Sequence, residues 1–383
     1  MSAWSSLTAV ALIIWLMILL LPWRPWSTVE RIEALSNGDT GFDLSCVSVL
    51  IPARDEADSI ARTLRGVSAQ GRVAKVIVVD DQSADGTVAA ARAENLTTLE
   101  IVSGTAPMPG WSGKLWALNQ GLGLIKSPYT LLLDADIELA PGILPALVKK
   151  LEDEDRTMVS VMAKLSMVSW WESLLIPPFI YFFKLLYPFA LANASTRWVA
   201  AAAGGCVLIR TESLHAIGGF AALRGALIDD CTLARKIKDA GGRLWLGLST
   251  AVRAIRPYPD LTSIWNMVAR TAFTQLRYSL LLLILCSGSM LLLFAVPVLG
   301  LCVQDAYVRG AALAALCVMF TTYWPTVKYY QCRWWWMLSL PVAAFLYLAM
   351  TWTSAVRFWF GERSRWKNRI YDRERPAATG SNH

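Results

Sequence analysis

Leu131 to Leu139 reads LLLDADIEL, an apolar run that ends in two carboxylates with one alanine between them. If the backbone is still extended there, side chains two apart point to one side of a sheet, so Asp134 and Asp136 face one spot. Two like charges held together are unfavourable alone and become favourable around a divalent cation such as Mg2+ or Mn2+. That ion would in turn bridge the oxygens of a diphosphate. A lone acid pair of this kind would more ordinarily cap the turn into ELAPG, so its neighbours decide the reading.

Three further stretches add matching parts. VIVVDDQSADGT places Asp80 and Asp81 at a strand end, followed by turn residues Ser83, Asp85 and Gly86 that open a helix. A carboxylate here could accept hydrogen bonds from a nucleobase or ribose, while Asp85 and Thr87 suit helix capping. GWSGKLWALNQGLG puts Lys114 just inside a helix start. A cation there opposes the helix dipole and should answer a negative ligand or carboxylate, unless it is a solvated surface lysine. IDDCTLARKIKDAG sets Asp229 and Asp230 at the start of a helix whose Leu233 and Ile237 share an inner face. Acids at a helix N-terminus stabilise it and stay ionised, which is a structural role and also what a general base needs. The pairs Gly204-Gly205 and Gly218-Gly219 would allow close backbone approach beside this helix.

These residues need a scaffold, and the segment from Cys46 to about Trp265 supplies one. VSVLIPA, KVIVVDD, TLLLDAD and TMVSVMA read as buried strands, with helices expected over 57–70 and 84–95. Strands alternating with helices imply an α/β fold with a mostly parallel sheet covered on both faces, whose ligands gather outside the carboxyl ends of the strands.

The rest of the chain points to a membrane. Of 383 residues 55% are apolar, too many for a soluble enzyme alone. Leu7 to Trp23 can span a bilayer, and PWRPW stands where a cleavage site would be needed, so residues 1–26 read as an uncleaved transmembrane anchor. Ser279 to Leu301, Gly310 to Val327 and Trp336 to Val356 could each span, giving C-terminal transmembrane helices over 279–356 and a basic tail over 357–383. Arg24 and Arg31 place the middle of the chain in the cytoplasm by the positive-inside tendency. Four spans would then export the tail with its arginines, so one stretch is expected to re-enter or lie in the interface. Trp170 to Ala194, with Pro177, Pro178 and Pro188, reads as an in-plane aromatic segment on the bilayer surface, the alternative being an internal hydrophobic subdomain.

Composition also excludes chemistry. Only two histidines occur, one of them His383, which removes histidine-based acid/base catalysis. Seven cysteines without a CxxC pair suggest isolated apolar fillers, not a disulfide or zinc framework. The net charge of +7 sits partly in the tail, where anionic lipid is a simpler partner than nucleic acid.

In order, VSVLIPARDEADSI, VVDDQSADGT, GKLWALNQG, LLLDADIEL, GGCVLIR, AIGGF, IDDCTLARKIKDAG and TQLRY resemble family 2 glycosyltransferases of the GT-A, Rossmann-like fold, over about Val47 to Tyr278. With the membrane segments and RWKNRIY, the chain is similar to the membrane-bound branch of ceramide glucosyltransferase-like enzymes, and most to bacterial hopene-associated glycosyltransferases of hopanoid gene clusters. The resemblance implies a glycosyltransferase domain over 45–278, a nucleotide-sugar donor, a divalent metal and a lipid acceptor. It also implies a multi-pass protein of the bacterial inner membrane with its catalytic domain in the cytoplasm.

Residue by residue, the resemblance assigns Asp80 or Asp81, favouring Asp81, to the base, and Asp134 and Asp136 to the metal and sugar-nucleotide. Asp230 matches the catalytic base of the family's ED motif, with Asp229 in place of the glutamate. The Q/RxxRW motif appears as Thr274 to Tyr278, with Thr and Tyr replacing its first and last residues. Arg277 could still grip a diphosphate and Tyr278 stack on an acceptor, while processive polymer synthesis is put in doubt. The resulting expectation is inverting sugar transfer to a lipid hydroxyl; the alternatives are transfer to a polyprenyl phosphate, a polysaccharide synthase, and a non-catalytic membrane scaffold.

Overall fold

The computed structural model describes residues 2–35, 43–366 and 369–372. Helix α1 (Ala3–Leu20) opens the chain, with the Ser2 side chain accepting from Ser5 N at its start. It stops short of the expected Trp23 because Pro22 and Pro25 cannot continue a helix.

Strands and helices then alternate: β1 (Leu44–Ala53), α2 (Ile60–Ser68), β2 (Val73–Asp80), α3 (Thr87–Ala93), β3 (Leu99–Ser103), α4 (Gly113–Leu122) and β4 (Tyr129–Leu133). β1 runs parallel to β2 and β4, and β2 parallel to β3. Both faces of these strands are covered, which is why they read as unbroken apolar runs. Val47, Val49 and Ile51 of β1 pack on one side with Leu64 of α2, whereas Leu50 joins Ile77, Val79 and Leu118 of α4 on the other.

The second half is mixed. It comprises β5 (Ile137–Leu139), α5 (Ile143–Asp153), β6 (Met158–Lys164), α6 (Trp170–Leu186), α7 (Phe189–Asn193), β7 (Cys206–Arg210), α8 (Thr211–Ala216), α9 (Asp229–Asp239) and β8 (Leu244–Ala254). The eight-stranded order is β3-β2-β1-β4-β7-β6-β8-β5, with β7 antiparallel to both β4 and β6 and β5 antiparallel to β8. The sheet is thus mostly parallel, as expected, with β7 reversed near its centre and β5 reversed at its edge.

The chain continues through α10 (Leu261–Ala269), α11 (Ala272–Gln275) and α12 (Leu280–Met290), which passes by a π turn (Leu291–Ala295) into α13 (Val296–Gly300). Then come α14 (Ala306–Tyr329), a tight turn of helix (Trp334–Ser339), α15 (Leu340–Trp359) and a small hairpin of β9 (Glu362–Trp366) and β10 (Arg369–Asp372). Among the described residues, four helical stretches are long and apolar enough to cross a membrane: Ala3–Leu20, Leu280–Gly300, Ala306–Tyr329 and Trp334–Trp359. Of the basic tail, Lys367, Arg373, Arg375 and His383 lie outside the described residues.

The aromatic segment expected at the bilayer surface forms α6 and α7, and α6 is covered on several sides. Ile176 and Ile180 pack on Met162, Leu246 and Leu248 of the sheet, while Tyr181 meets Trp15 and Tyr323 of the apolar helices. α6 is therefore the layer between the sheet and the long apolar helices.

Candidate active site

Lys114, Asp134, Asp229, Asp230 and Gly204 line one pocket beneath the ends of β1 and β4. α4 begins with Ser112 accepting from Leu115 N, which orients Lys114 on the first turn toward β4. Its Nζ lies 2.7 Å from Asp134 Oδ1. Burial alone would favour the neutral amine, but Asp134, Asp229 and Asp230 more than offset it and hold the ammonium well above its ordinary range. The lysine answers carboxylates, one of the two partners expected of it.

Asp230 sits in the first turn of α9 with both oxygens engaged. Oδ2 accepts from Gly204 N at 2.9 Å and Oδ1 from Cys231 N at 2.7 Å. Gly204 eases this approach, since a Cβ there would lie 3.3 Å from both Cβ and Oδ2 of Asp230 and press the carboxylate outward by a few tenths of an ångström. Burial and the charge of Asp229 push Asp230 up to about 6, while the two backbone donors and Lys114 work in the opposite sense. The carboxylate is held by two amides yet poised to take a proton near neutrality.

The expectation that Asp134 and Asp136 lie on one extended strand is corrected. β4 ends at Leu133 and β5 begins at Ile137, with Ile137 N donating to Asp134 O at 3.1 Å to close a turn. The cause is a change of partner: Asp134 N still donates to Gly205 O, whereas Asp136 O accepts from Ile255 N and β5 pairs with β8. The acids nonetheless feel each other. Asp136 is pushed up to about 6 by burial, then by Asp134 and Glu56. Arg256 offsets this in part, its Nε lying 3.7 Å from Asp136 Oδ2 and its other arm 2.5 Å from Glu56.

Two crowded hard-oxygen donors with unfavourable mutual charge fit a divalent cation. Among the described residues no group of three or more His, Cys, Asp or Glu side chains could enclose one. The protein would supply Asp134 and Asp136 and leave the remaining positions to water and ligand oxygens, as suits Mg2+ or Mn2+.

Asp80 and Asp81 stand at the neighbouring strand end. Asp81 is 1% exposed, 3.6 Å from Arg54, which also donates to its carbonyl. Asp80 accepts from Ser83 N, and Asp85 from Thr87 N, so the acids and turn residues brace this loop. Glu56 N donates to Thr87 and Ala57 N to Asp85, which delays α2 to Ile60.

Arg277 and Tyr278 occupy left-handed backbone, φ 51° and 56°, between α11 and α12. Arg277 is exposed and makes no ion pair among the described residues. The Tyr278 ring stacks on Phe358 at 4.3 Å and 19°, so one of the two faces expected for an acceptor is already covered. Sequence reading missed Arg54, Glu56 and Arg256, which no local spacing marks. It also missed the contact of Tyr187 with Gln275, in which the hydroxyl donates to Oε1 at 2.5 Å.

Residues 48–218 match the family model described as Glycosyl transferase family 2. A 4,4'-diaponeurosporenoate glycosyltransferase of Staphylococcus haemolyticus is 32% identical over 99 residues, 26% of each protein. The Succinoglycan biosynthesis protein ExoU of Rhizobium meliloti is 33% identical over 106 residues, 27% of this chain and 30% of that protein. The chain thus matches less than a third of the length of these curated relatives. Among solved structures, the mannosyltransferase PcManGT from Pyrobaculum calidifontis, in complex with GDP-Man and Mn2+, has a TM-score of 0.55 at 20% identity, covering 94% of this chain and 100% of that one. The architecture is a GT-A-like fold. Within it, residues 48–218 are similar to glycosyl transferase family 2.

Proposed function

We propose that the chain is a membrane-anchored, inverting hexosyltransferase moving a sugar from a nucleoside diphosphate donor to a lipid-borne hydroxyl. The observation that carries this reading is Asp230, a buried carboxylate raised to about 6 in the same pocket as the Lys114–Asp134 ion pair. Asp230 takes the acceptor proton as the acceptor oxygen bonds to the anomeric carbon. The bond to the diphosphate breaks, and its electron pair leaves with the phosphate. Lys114 faces the charge that develops there, with Arg277 as a second cation and Asp229 supporting the base. A bound divalent cation, held by Asp134 and Asp136, would neutralise the diphosphate oxygens. Asp80 or Asp81, the latter favoured, shapes the end of the crevice that receives the nucleobase, and Tyr278 stacks on the acceptor through its uncovered face.

The lipid acceptor is supported by the apolar helices fused to the domain and by relatives named as diaponeurosporenoate glycosyltransferases. A hopanoid or similar polycyclic alcohol is the acceptor we favour, with the domain on the cytoplasmic side of a bacterial inner membrane. The experiment is radiolabel transfer from UDP-glucose, UDP-GlcNAc, UDP-galactose and GDP-mannose into lipid extract by membranes containing the protein, with and without EDTA. A labelled neutral lipid that disappears with EDTA is expected. No labelled lipid with any donor, under conditions where a known lipid glycosyltransferase is active, would overturn the reading.

A further inference from the structure

Three of the four long apolar helices form one bundle that passes away from the domain and back. On the domain side, the chain after α1 bridges at Arg31 to Leu248 of β8, and α14 ends with the Tyr329 hydroxyl donating to Ser249 O at 2.8 Å. α12 begins a few residues after α11. At the opposite end, Gly300 of α13 is wedged between Thr8 of α1 and Ala312 of α14, so tightly that a Cβ would come within 2.9 Å of each. Between these levels, Trp15 Nε1 donates to Leu293 O at 3.0 Å. α1 therefore runs toward the domain, α12–α13 away from it, and α14 back.

α15 differs. Just before it, Trp336 lies 6.0 Å from Trp170 at the start of α6. Midway, the Tyr347 hydroxyl donates to Leu175 O of α6 at 2.7 Å, and Ala343 and Met350 pack with Ile264 of α10. At its end, Ser354 Oγ accepts from Phe273 N at 3.1 Å and Arg357 donates to Asn266 Oδ1 at 2.8 Å. The start of α6 is itself fixed to the domain, since Ser169 donates to Tyr258 O and Glu172 accepts from Tyr258 N.

A 20-residue helix is about 30 Å long, so a crossing helix can reach the domain side of a bilayer at one end only. α15 touches domain-side elements at both ends and in the middle. Its outward face carries Val342, Phe345, Val356 and Trp359 at helical spacing, with Phe345 65% and Trp359 50% exposed, while Trp352 between them donates to Ser287 Oγ of α12 at 3.0 Å.

We infer that α15 lies along the domain-side leaflet without crossing, its outward stripe sunk into lipid, and that the membrane is crossed three times. The N-terminus is then on the far side, while the domain and the chain leaving Trp359 share the near side. Arg357, at the end of α15, stays with the domain beside anionic headgroups, which removes the conflict between four spans and the positive-inside tendency. This topology is independent of the transfer chemistry proposed above.

The test uses sealed right-side-out and inverted vesicles with a membrane-impermeant maleimide, read peptide by peptide by mass spectrometry. Native Cys302, exposed between α13 and α14, reports the far side, Asn95→Cys the domain and Ser381→Cys the tail. The tail should label from the same side as Asn95→Cys and opposite to Cys302. In the unsubstituted protein, trypsin should cut after residues 363–375 only in the orientation that exposes the domain. Tail labelling or cutting from the Cys302 side would overturn the inference.

Discussion

The Tyr187 hydroxyl donates to Gln275 Oε1 across 2.5 Å, tying the Thr274–Tyr278 stretch to the region of Asp230. Burial, then the nearness of Cys231 and Asp230, raises that hydroxyl to about 12, so it is a neutral donor throughout the working range. Tyr187→Phe should cost about 1 kcal/mol of stability. It should lower kcat roughly tenfold, the equivalent of about 1.4 kcal/mol, at unchanged donor KM. Initial rates over a donor titration separate this from a donor-binding role, in which KM would rise instead.

Lys114 is the cation shared by Asp134, Asp229 and Asp230. Lys114→Met leaves these carboxylates unneutralised, and kcat/KM for the donor should fall by about 100-fold or more. Because Lys114 holds the Asp230 pKa down, the acid limb of the rate profile should also move to higher pH. An unchanged profile would place Lys114 outside the reaction.

Asp230, raised to about 6, sets a pH dependence with two opposite parts. As a base it acts only when ionised, so log kcat/KM should be flat above about pH 7 and fall with unit slope below about pH 6. For stability the sign reverses. The folded protein holds this proton more tightly than an unfolded aspartate of pKa about 4. The resulting stabilisation is complete below about pH 4 and is lost as pH rises through 6. Rate measurements and thermal unfolding at fixed detergent should show the two trends diverging.

Arg54 partners the nearly inaccessible Asp81. Arg54→Met removes the guanidinium that faces this carboxylate and should destabilise the domain by about 2–3 kcal/mol, discounted from a fully buried pair because Arg54 is partly exposed. Arg54→Met/Asp81→Asn should recover much of the loss in thermal shift.

Much of this architecture is legible before folding because two-sided burial writes itself as unbroken apolar strands, as in Val76–Val79 and Val47–Ile51. The break between β4 and β5 is not legible. LLLDADIEL reads as one run, and only the pairing of Ile137 with Ala254 from a later strand bends it. Arg256 reaches Asp136 from the loop after that same strand, and Tyr187 meets Gln275 across a separation of 88 residues, so neither leaves a local pattern. Length and hydropathy likewise treat α14 and α15 alike. What separates them is that α15 is held to the domain side at both ends, a tertiary fact.

The most direct test of the transfer mechanism compares wild type, Asp230→Asn and Asp230→Glu in single-turnover transfer of sugar to a hydroxyl lipid, with donor binding measured in parallel. Asp230→Asn should bind donor within about threefold of wild type yet lose at least about 1,000-fold in rate, with partial recovery in Asp230→Glu. Transfer by Asp230→Asn at the wild-type rate, with the product unchanged, would contradict the role of Asp230 as the base.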